Sequence, residues 1–185
     1  MNFTTGTSEG ISSQLFQSVS SYRHKLFVEM LGWELQTRDG MELDQFDRKD
    51  TVYVVSQDED GLVNGCARLL PTHRPYLLGE VFPQLMNGQE VPCSPEIWEL
   101  SRFAAHDFRS PTSSVRGQFS SPTAVNLLQE AIRCAAEMGA KRLITVSPLG
   151  IERLLRRAGF HAHRAGPPIL IDGHPIFACW IEVAA

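Results

Sequence analysis

The chain has 185 residues, enough for one domain with a substantial core. With 43% hydrophobic and 21% charged residues, its composition is typical of a globular protein and excludes a disordered or fibrous chain. The formal net charge of −4 provides no basic field for a nucleic-acid partner.

The sequence predicts neither a signal peptide nor integral membrane association. Its first residues lack a basic stretch followed by an apolar core, and no run of about 18 apolar residues occurs. The cysteines are far apart and form no C-x-x-C pair, which favours reduced thiols in the cytoplasm over disulfides or zinc. His161 and His163 have no cysteine or carboxylate near them in sequence, so we expect no metal site.

The amino-terminal part predicts a leader and a helix. Residues 1–11 are polar and rich in Gly, Ser and Thr, and we expect them to be loose. Apolar residues spaced by three and four predict a helix from about Ser12 to Leu31, ended by Gly32. Arg23 and Phe27 would share one face of this helix. The helical spacing by itself predicts that Phe27 is a core residue and that Arg23 is a solvated charge.

The segment from Trp33 to Asp50 carries many charges and little periodicity, which predicts a long loop. Such loops in compact domains are usually functional or disordered, and the aromatic side chains of Trp33 and Phe46 argue against disorder. Two interpretations of Asp44 and Asp47 stay open. They could bind a cation or pair with an arginine, or they could belong to a flexible acidic surface.

Two β-rich segments follow, Thr51 to Ser56 and Val63 to Leu70, joined by a turn that contains an Asp-Gly pair. Arg68 lies inside the second, otherwise apolar, segment. A buried arginine needs a carboxylate partner. The candidates are Asp44, Asp47 and Glu99. Residues 71–95 are rich in proline and predict turns around a short helix near 77–85.

The strand from Trp98 to Ala104 has an apolar pattern that slips by one residue. Trp98 and Leu100 keep period two, but the next large apolar residue is Phe103, which predicts a β-bulge near Ser101. A bulge would turn Glu99 and Arg102 toward one cavity. Two interpretations stay open, a structural ion pair at a strand end or a general base beside a cationic clamp.

The remaining elements are predicted in the order loop, helix, strand, helix and two strands. Their approximate bounds are 106–117, 121–138, 141–146, 149–158, 160–164 and 175–183. Together with the preceding elements, this order predicts an α/β fold with a mixed sheet.

Three motifs resemble one known family. These motifs are Asp44-Gln45-Phe46-Asp47, Gly65-Cys66-Ala67-Arg68-Leu69-Leu70-Pro71 and Trp98-Glu99-Leu100-Ser101-Arg102-Phe103. Together they are similar to the bacterial acyl-homoserine-lactone synthases, which make the autoinducers of quorum sensing. Arg23, Phe27 and Trp33 stand where the amino-terminal motif of that family would place them. The resemblance implies a single GNAT-like acyltransferase domain over residues 1–185, with a mixed central sheet, a bulged central strand and flanking helices.

The resemblance also implies a reaction. An acyl chain would pass from the thioester of an acyl carrier protein, or of coenzyme A, to the amine of S-adenosylmethionine. The product would then close to a lactone and release methylthioadenosine. S-adenosylmethionine is a substrate here, so no cofactor is expected. Glu99 would act as general base, and partial burial beside Trp98 would raise its pKa toward that role. Arg102 or Ser101 would help backbone N–H groups to stabilise the oxyanion that forms on the thioester carbonyl.

Further residues receive roles from the same resemblance. Those expected to bind S-adenosylmethionine are Arg23, Phe27, Trp33, Asp44, Asp47 and Arg68. Those on elements that should line the acyl-chain pocket are Leu100, Phe103, Ile144, Thr145, Val146, Ser147 and Leu149, although each also fits an ordinary core. Arg153, Arg156 and Arg157 form a basic patch that fits either a dock for an acidic carrier protein or a solvated helix face.

Two other classes of protein remain as alternatives. A coenzyme A-dependent N-acetyltransferase would have the same fold, but Arg116-Gly117-Gln118-Phe119-Ser120 lacks the second glycine of a pyrophosphate-binding turn. A non-catalytic small-molecule sensor would also surround a pocket with aromatic residues and arginines.

Overall fold

A computed structural model describes residues 1–110 and 121–183. The turn from Arg116 to Ser120 therefore lies outside the described residues. The described residues form two compact units, one within 1–68 and 102–130 and the other within 69–101 and 131–185. Within the described ranges, no helix is both long and apolar enough to cross a membrane.

The first unit combines an antiparallel sheet with an amino-terminal helix. Its elements are β1 (Asn2–Thr7), α1 (Ser13–Arg23), a π-helix (His24–Met30), β2 (Thr37–Arg38), β3 (Met41–Glu42) and β4 (Val52–Gln57). Strand β5 (Val63–Pro71), strand β6 (Ile97–Ala105) and helix α3 (Pro122–Glu137) each begin or end in this unit. Strand β1 pairs antiparallel with β4, which neighbours β5. The core under this sheet contains Tyr22, Leu26, Phe27 and Tyr53.

The expectation of a loose leader over residues 1–11 is wrong. Residues 2–7 form β1, and their register with β4 runs from Asn2 opposite Gln57 to Thr7 opposite Val52. Threonine favours strands, and an edge strand tolerates polar side chains, so the polar composition does not distinguish this strand from a loop.

The predicted helix over residues 12–31 has two parts. Ser12 caps α1 by accepting a hydrogen bond from the Leu15 N–H, as an N-cap serine does. From His24 onward the helix widens to a π-helix, in which the Leu31 N–H donates to the carbonyl of Leu26. π-helices are rare in proteins overall, and those that occur are often found at functional sites.

The predicted loop over residues 33–50 contains a small hairpin. Strands β2 and β3 pair across Asp39 and Gly40, whose φ angles are 52° and 72°. Two consecutive residues with positive φ are typical of the tight hairpin turn that Asp-Gly favours. The turn signal was present in the sequence, but strands of two residues are too short to show a pattern.

The second unit has a mixed sheet. Besides parts of β5, β6 and α3, it contains α2 (Leu77–Val81), a 3₁₀ helix (Pro83–Met86), β7 (Arg142–Pro148), α4 (Ile151–Arg157), β8 (Ala162–Arg164), β9 (Ile169–Ile171) and β10 (His174–Glu182). Strand β6 pairs parallel with β7, and β10 pairs antiparallel with β7, β8 and β9. The mixed sheet is thus confirmed, and β9 is an additional strand.

The backbone irregularity in β6 lies at Arg102, one residue after Ser101. Arg102 has a φ of +50°, which is uncommon for a residue other than glycine and is a feature of some bulges. The expected interruption of the strand is therefore found, but Trp98 is only partly buried and its indole N–H donates to the carbonyl of Pro95.

Candidate active site

Arg23, at the end of α1, is held by two carboxylates, Glu42 of β3 and Asp47 of the loop that follows it. Its side chain is only 1% exposed. Nη1 and Nη2 donate to the two oxygens of Asp47 at 2.7 and 3.0 Å, and Nε donates to Oε2 of Glu42 at 2.6 Å. Burial alone would lower the pKa of this guanidinium, but Asp47 and Glu42 raise it, so Arg23 stays charged.

Asp47 is the most heavily bonded carboxylate of this group. Besides Arg23, it accepts hydrogen bonds from the Tyr53 hydroxyl at 2.7 Å and from the Asp44 N–H at 2.8 Å. Arg68 Nη1 lies 3.3 Å from Oδ1. Burial would raise the pKa of Asp47, but Arg23 and Arg68 hold it well below its usual range.

Arg68 has the carboxylate partners that its position in an apolar strand required. Its Nη1 donates to Oδ1 of Asp44 at 2.7 Å, and the guanidinium lies 5.8 Å from the centre of the Phe46 ring. Two of the three proposed partners, Asp44 and Asp47, are therefore confirmed. The third, Glu99, lies in the other unit.

Arg102 joins the same network through Glu42. Its Nε and Nη2 donate to both oxygens of Glu42, and Nη2 also donates to Oδ2 of Asp44 at 2.9 Å. Glu42 is fully buried, which would raise the pKa of its carboxyl, but Arg102 and Arg23 lower it. We name the six residues the charge network: Arg23, Glu42, Asp44, Asp47, Arg68 and Arg102.

Sequence reasoning missed Glu42. The signal that could have found it is its position, because Glu42 lies in the same charged segment as Asp44 and Asp47. A buried arginine needs a carboxylate partner, and Glu42 was a third one in that segment.

Aromatic residues lie beside the charge network. Phe27, in the π-helix, is 2% exposed and stacks on Trp33, with ring centroids 4.9 Å apart and planes inclined by 15°. The Arg102 guanidinium lies 5.8 Å from the Phe27 ring centre. Trp33 is 44% exposed, so part of its indole is accessible to a ligand.

A buried thiol supports the backbone of Arg102. The Cys66 thiol donates to the Arg102 carbonyl, with Sγ 3.2 Å from the oxygen. Burial raises the pKa of this thiol to about 12. A nucleophilic cysteine must be a thiolate, so Cys66 has a structural role.

Glu99, in the second unit, is fully buried rather than partly buried as expected. Its Oε2 accepts a hydrogen bond from the Leu77 N–H at 3.0 Å, and its Oε1 accepts one from the Leu78 N–H at 2.7 Å. These amides begin α2, whose N-cap residue Tyr76 makes no side-chain hydrogen bond to the helix. Glu99 therefore supplies the missing cap.

The residues assigned to an acyl pocket are divided between the units. In the second unit, Ile144 of β7 is opposite Glu99 in the parallel register. Leu100, Thr145 and Ser147 are buried, Val146 is partly buried, and Leu149 is 50% exposed and precedes α4 instead of starting it. Phe103 belongs to the first unit. Their role in an acyl pocket stays a prediction.

The predicted basic patch lies on α4 and is exposed. The Arg156 guanidinium already donates hydrogen bonds within the protein, to Glu152 at 2.8 Å and to the Ala162 carbonyl at 2.9 Å. A groove of about 580 Å³ runs beside Arg156, His161 and His163. Docking of a carrier protein at this patch stays a prediction.

The comparisons with known proteins agree on one family. The family model described as autoinducer synthase matches residues 8–184. The acyl-homoserine-lactone synthase of Acinetobacter nosocomialis is 60% identical over 99% of this chain and 100% of the relative.

Solved structures are similar over most of the chain. TofI in a ternary complex with an inhibitor and MTA has a TM-score of 0.85 at 45% identity, covering 100% of this chain and 93% of TofI. BjaI, a CoA-dependent acyl-homoserine lactone synthase with SAM and isopentyl-CoA, has a TM-score of 0.84 at 26% identity, covering 97% and 82%.

A putative N-acetyltransferase from Lactobacillus plantarum shares the fold alone. It is 14% identical, with a TM-score of 0.66, covering 99% of this chain and 98% of its own. These findings confirm the GNAT-like fold and an acyltransferase, and they favour a synthase over a sensor or a general acetyltransferase. The chain therefore belongs to the autoinducer synthase family, the acyltransferases known as acyl-homoserine-lactone synthases.

Proposed function

We propose that this acyltransferase joins an acyl chain from an acyl-carrier-protein thioester to the amine of S-adenosylmethionine and then closes the lactone. The observation that carries the proposal is the charge network beside the stacked pair of Phe27 and Trp33. The complexes of TofI with MTA and of BjaI with SAM support the same choice of substrate.

The charge network and its aromatic neighbours suit the groups of S-adenosylmethionine. The substrate carries a carboxylate, an ammonium and a sulfonium, and the network presents both signs of charge. The accessible part of the Trp33 indole suits the sulfonium, because cation–π attraction contributes on the order of 1 kcal/mol or more when the pair is desolvated. Arg23, Phe27, Trp33, Asp44, Asp47 and Arg68 are the proposed binding residues.

The first chemical step forms an amide. The substrate amine is mostly protonated at neutral pH, since an α-amino group titrates near about 8, and it must lose a proton before attack. We assign that proton to Glu99, directly or through one water. Each oxygen of this carboxylate accepts one of the two amides of α2, which holds the carboxylate in a fixed position.

The amine nitrogen then attacks the thioester carbonyl carbon, and the thiolate leaves. Negative charge develops on the carbonyl oxygen during attack. Backbone N–H groups, with Ser101 or Arg102, are assigned to stabilise it, and one such donor typically contributes about 3 kcal/mol. In the second step the substrate carboxylate attacks its own γ-carbon, and the carbon–sulfur bond breaks to release methylthioadenosine.

The acyl carrier protein is proposed as donor because α4 presents arginines to an acidic partner. Docking at Arg153, Arg156 and Arg157 would deliver the acyl chain toward the residues assigned to its pocket. Coenzyme A is the competing donor, because BjaI is CoA-dependent. These substrates and the reduced cysteines favour a cytoplasmic location.

The test is mass spectrometry of the purified protein supplied with S-adenosylmethionine and a panel of thioesters on either carrier. We expect methylthioadenosine and an N-acyl homoserine lactone from the wild type and from Arg133→Ala, an exposed control on α3, but not from Glu99→Ala. Turnover of acetyl-coenzyme A alone, or an acylated amine without lactone, would replace this proposal with an ordinary acetyltransferase.

The carrier is tested with the double variant Arg153→Ala/Arg157→Ala. If the carrier protein is the donor, KM for the carrier-protein thioester should rise while that for the coenzyme A thioester stays unchanged. For each of the two donors, a KM in the double variant equal to that of the wild type would remove the docking role of α4.

A further inference from the structure

A buried tyrosine outside the assigned residues contacts the charge network. Tyr53 lies on β4, and its side chain is 1% exposed. Its hydroxyl donates to Oδ1 of Asp47 at 2.7 Å, and its ring packs edge-on against Phe16 with centroids 5.5 Å apart. We propose that Tyr53 is a positioning residue for S-adenosylmethionine, because its hydroxyl fixes the carboxylate of Asp47 that orients Arg23 and Arg68. This inference rests on the proposed function.

The hydroxyl connects the loop to a rigid support. Asp47 lies between β3 and β4, where the backbone is irregular, whereas β4 is paired with β1 on one side and neighbours β5 on the other. The Asp47 carboxylate also accepts hydrogen bonds from Arg23 and from the Asp44 N–H of the same loop, and Arg68 lies 3.3 Å from it. Tyr53 thus gives this carboxylate a neutral donor from the sheet.

The hydrogen bond from Tyr53 reaches the oxygen of Asp47 that also contacts both arginines. Oδ1 faces the Tyr53 hydroxyl, Nη1 of Arg23 at 2.7 Å and Nη1 of Arg68 at 3.3 Å. A third partner on one oxygen restricts rotation of the carboxylate about its own axis. Without it, Asp47 keeps both arginines and the Asp44 N–H but is held less tightly, so the orientation of the two guanidinium groups is fixed less closely.

The loop has a second anchor that does not involve Tyr53. The Thr51 hydroxyl donates to the Phe46 carbonyl at 2.5 Å and accepts from the Arg48 N–H at 2.9 Å. Burial and the neighbouring Asp47 also raise the pKa of Tyr53, so its hydroxyl keeps its proton at neutral pH. Removing that hydroxyl should therefore disturb the orientation of Asp47 and leave the loop attached.

The experiment compares Tyr53→Phe with Tyr22→Phe. Tyr22 is also buried, but its hydroxyl accepts from the His106 N–H at 2.9 Å and lies 3.1 Å from the His106 carbonyl, outside the charge network. Binding of S-adenosylmethionine is measured by equilibrium dialysis, and KM for each substrate and kcat by steady-state kinetics.

For Tyr53→Phe we expect Kd and KM for S-adenosylmethionine to rise about tenfold, the lower end for a hydrogen bond to a charged group. KM for the thioester and kcat should stay within about threefold. Tyr22→Phe should lower the melting temperature without this selective rise.

Three results would overturn the inference: an unchanged Kd in Tyr53→Phe, equal rises for both substrates, or the same rise in Tyr22→Phe. A wild type that binds S-adenosylmethionine without making lactone would refute the proposed chemistry alone. In that case dialysis still tests Tyr53. A wild type that does not bind S-adenosylmethionine would refute both.

Discussion

Arg102 donates two hydrogen bonds to Glu42, a residue 60 positions earlier in the chain, with Nε 3.1 Å from Oε2 and Nη2 2.9 Å from Oε1. The backbone of Arg102 has a φ of +50°. A residue in this region typically carries about 1–3 kcal/mol of strain and persists where its surroundings fix it. The two-point ion pair and the Cys66 thiol provide that constraint, so the irregularity in β6 and the charge network support each other.

Removing the charge of Glu42 should destabilise the protein strongly. Glu42→Gln keeps the shape of the side chain but leaves three buried arginines with two carboxylates, Asp44 and Asp47. Breaking a buried pair typically lowers the free energy of unfolding by about 3–5 kcal/mol. Urea denaturation measures the loss. The matched control is Glu137→Gln, which breaks the exposed pair with Arg133 on α3 and should lose less than about 1 kcal/mol. Similar losses in both variants would contradict the role of burial.

The charge network should make stability sensitive to acid. The pKa values of Glu42 and Asp47 are lower in the folded protein than their ordinary values, so their contribution is complete above the unfolded values near about 4. It is lost as pH falls from there through the lower folded values. The free energy of unfolding, measured by urea denaturation from pH 6 to 3, should therefore fall most steeply below about pH 4. Asp47→Asn should show a shallower fall, and an unchanged slope would exclude Asp47 as a source.

Changing Glu99 to glutamine should loosen the start of α2. The glutamine oxygen can accept from the Leu77 N–H or the Leu78 N–H, while its amide group faces the other donor. Amide hydrogen exchange should then quicken at one or both positions by about tenfold or more, as one hydrogen bond to a charged group is lost. The amide of Leu128 in α3 serves as internal control. Unchanged exchange at both positions would show that the Glu99 contacts do not hold α2.

Truncating Trp33 should affect ligand binding more than stability. Its stacking on Phe27 contributes about 0.5–1.5 kcal/mol, so Trp33→Ala should lower the free energy of unfolding by about that amount. Calorimetric titration with S-adenosylmethionine should show a loss of affinity of about fivefold or more, from the cation–π contribution. Trp33→Phe should retain most of the affinity, and Trp98→Phe should retain all of it. An unaffected affinity in Trp33→Ala would remove the indole from the binding surface.

Much of the fold followed from local patterns. The turns at Gly32 and Asp60-Gly61 and the periodicity of α3 locate most elements within a few residues. The π-helix could not be predicted, because the apolar residues of a seven-residue segment fit a period near 3.6 and a wider one equally well. The β1 strand was missed because a polar edge strand has the composition of a loop.

Part of the candidate site was predictable where side chains meet side chains, although Glu42 was missed. The need of Arg68 for a carboxylate identified Asp44 and Asp47. The partners of Glu99 were not predictable, since they are backbone amides, and an amide carries no residue-specific signal in a sequence. The acyl residues stay predictions because apolar side chains lining a pocket resemble those of any core.

The charge network has three arginines and three carboxylates, so its charges cancel. A neutral cluster produces no long-range field, and at physiological ionic strength any remaining potential is screened within about 8 Å. Electrostatic steering should therefore contribute little to the encounter with S-adenosylmethionine, whose association rate should hardly vary with added salt. An acidic carrier protein meeting the arginines of α4 should behave in the opposite way, and its association should slow as ionic strength rises.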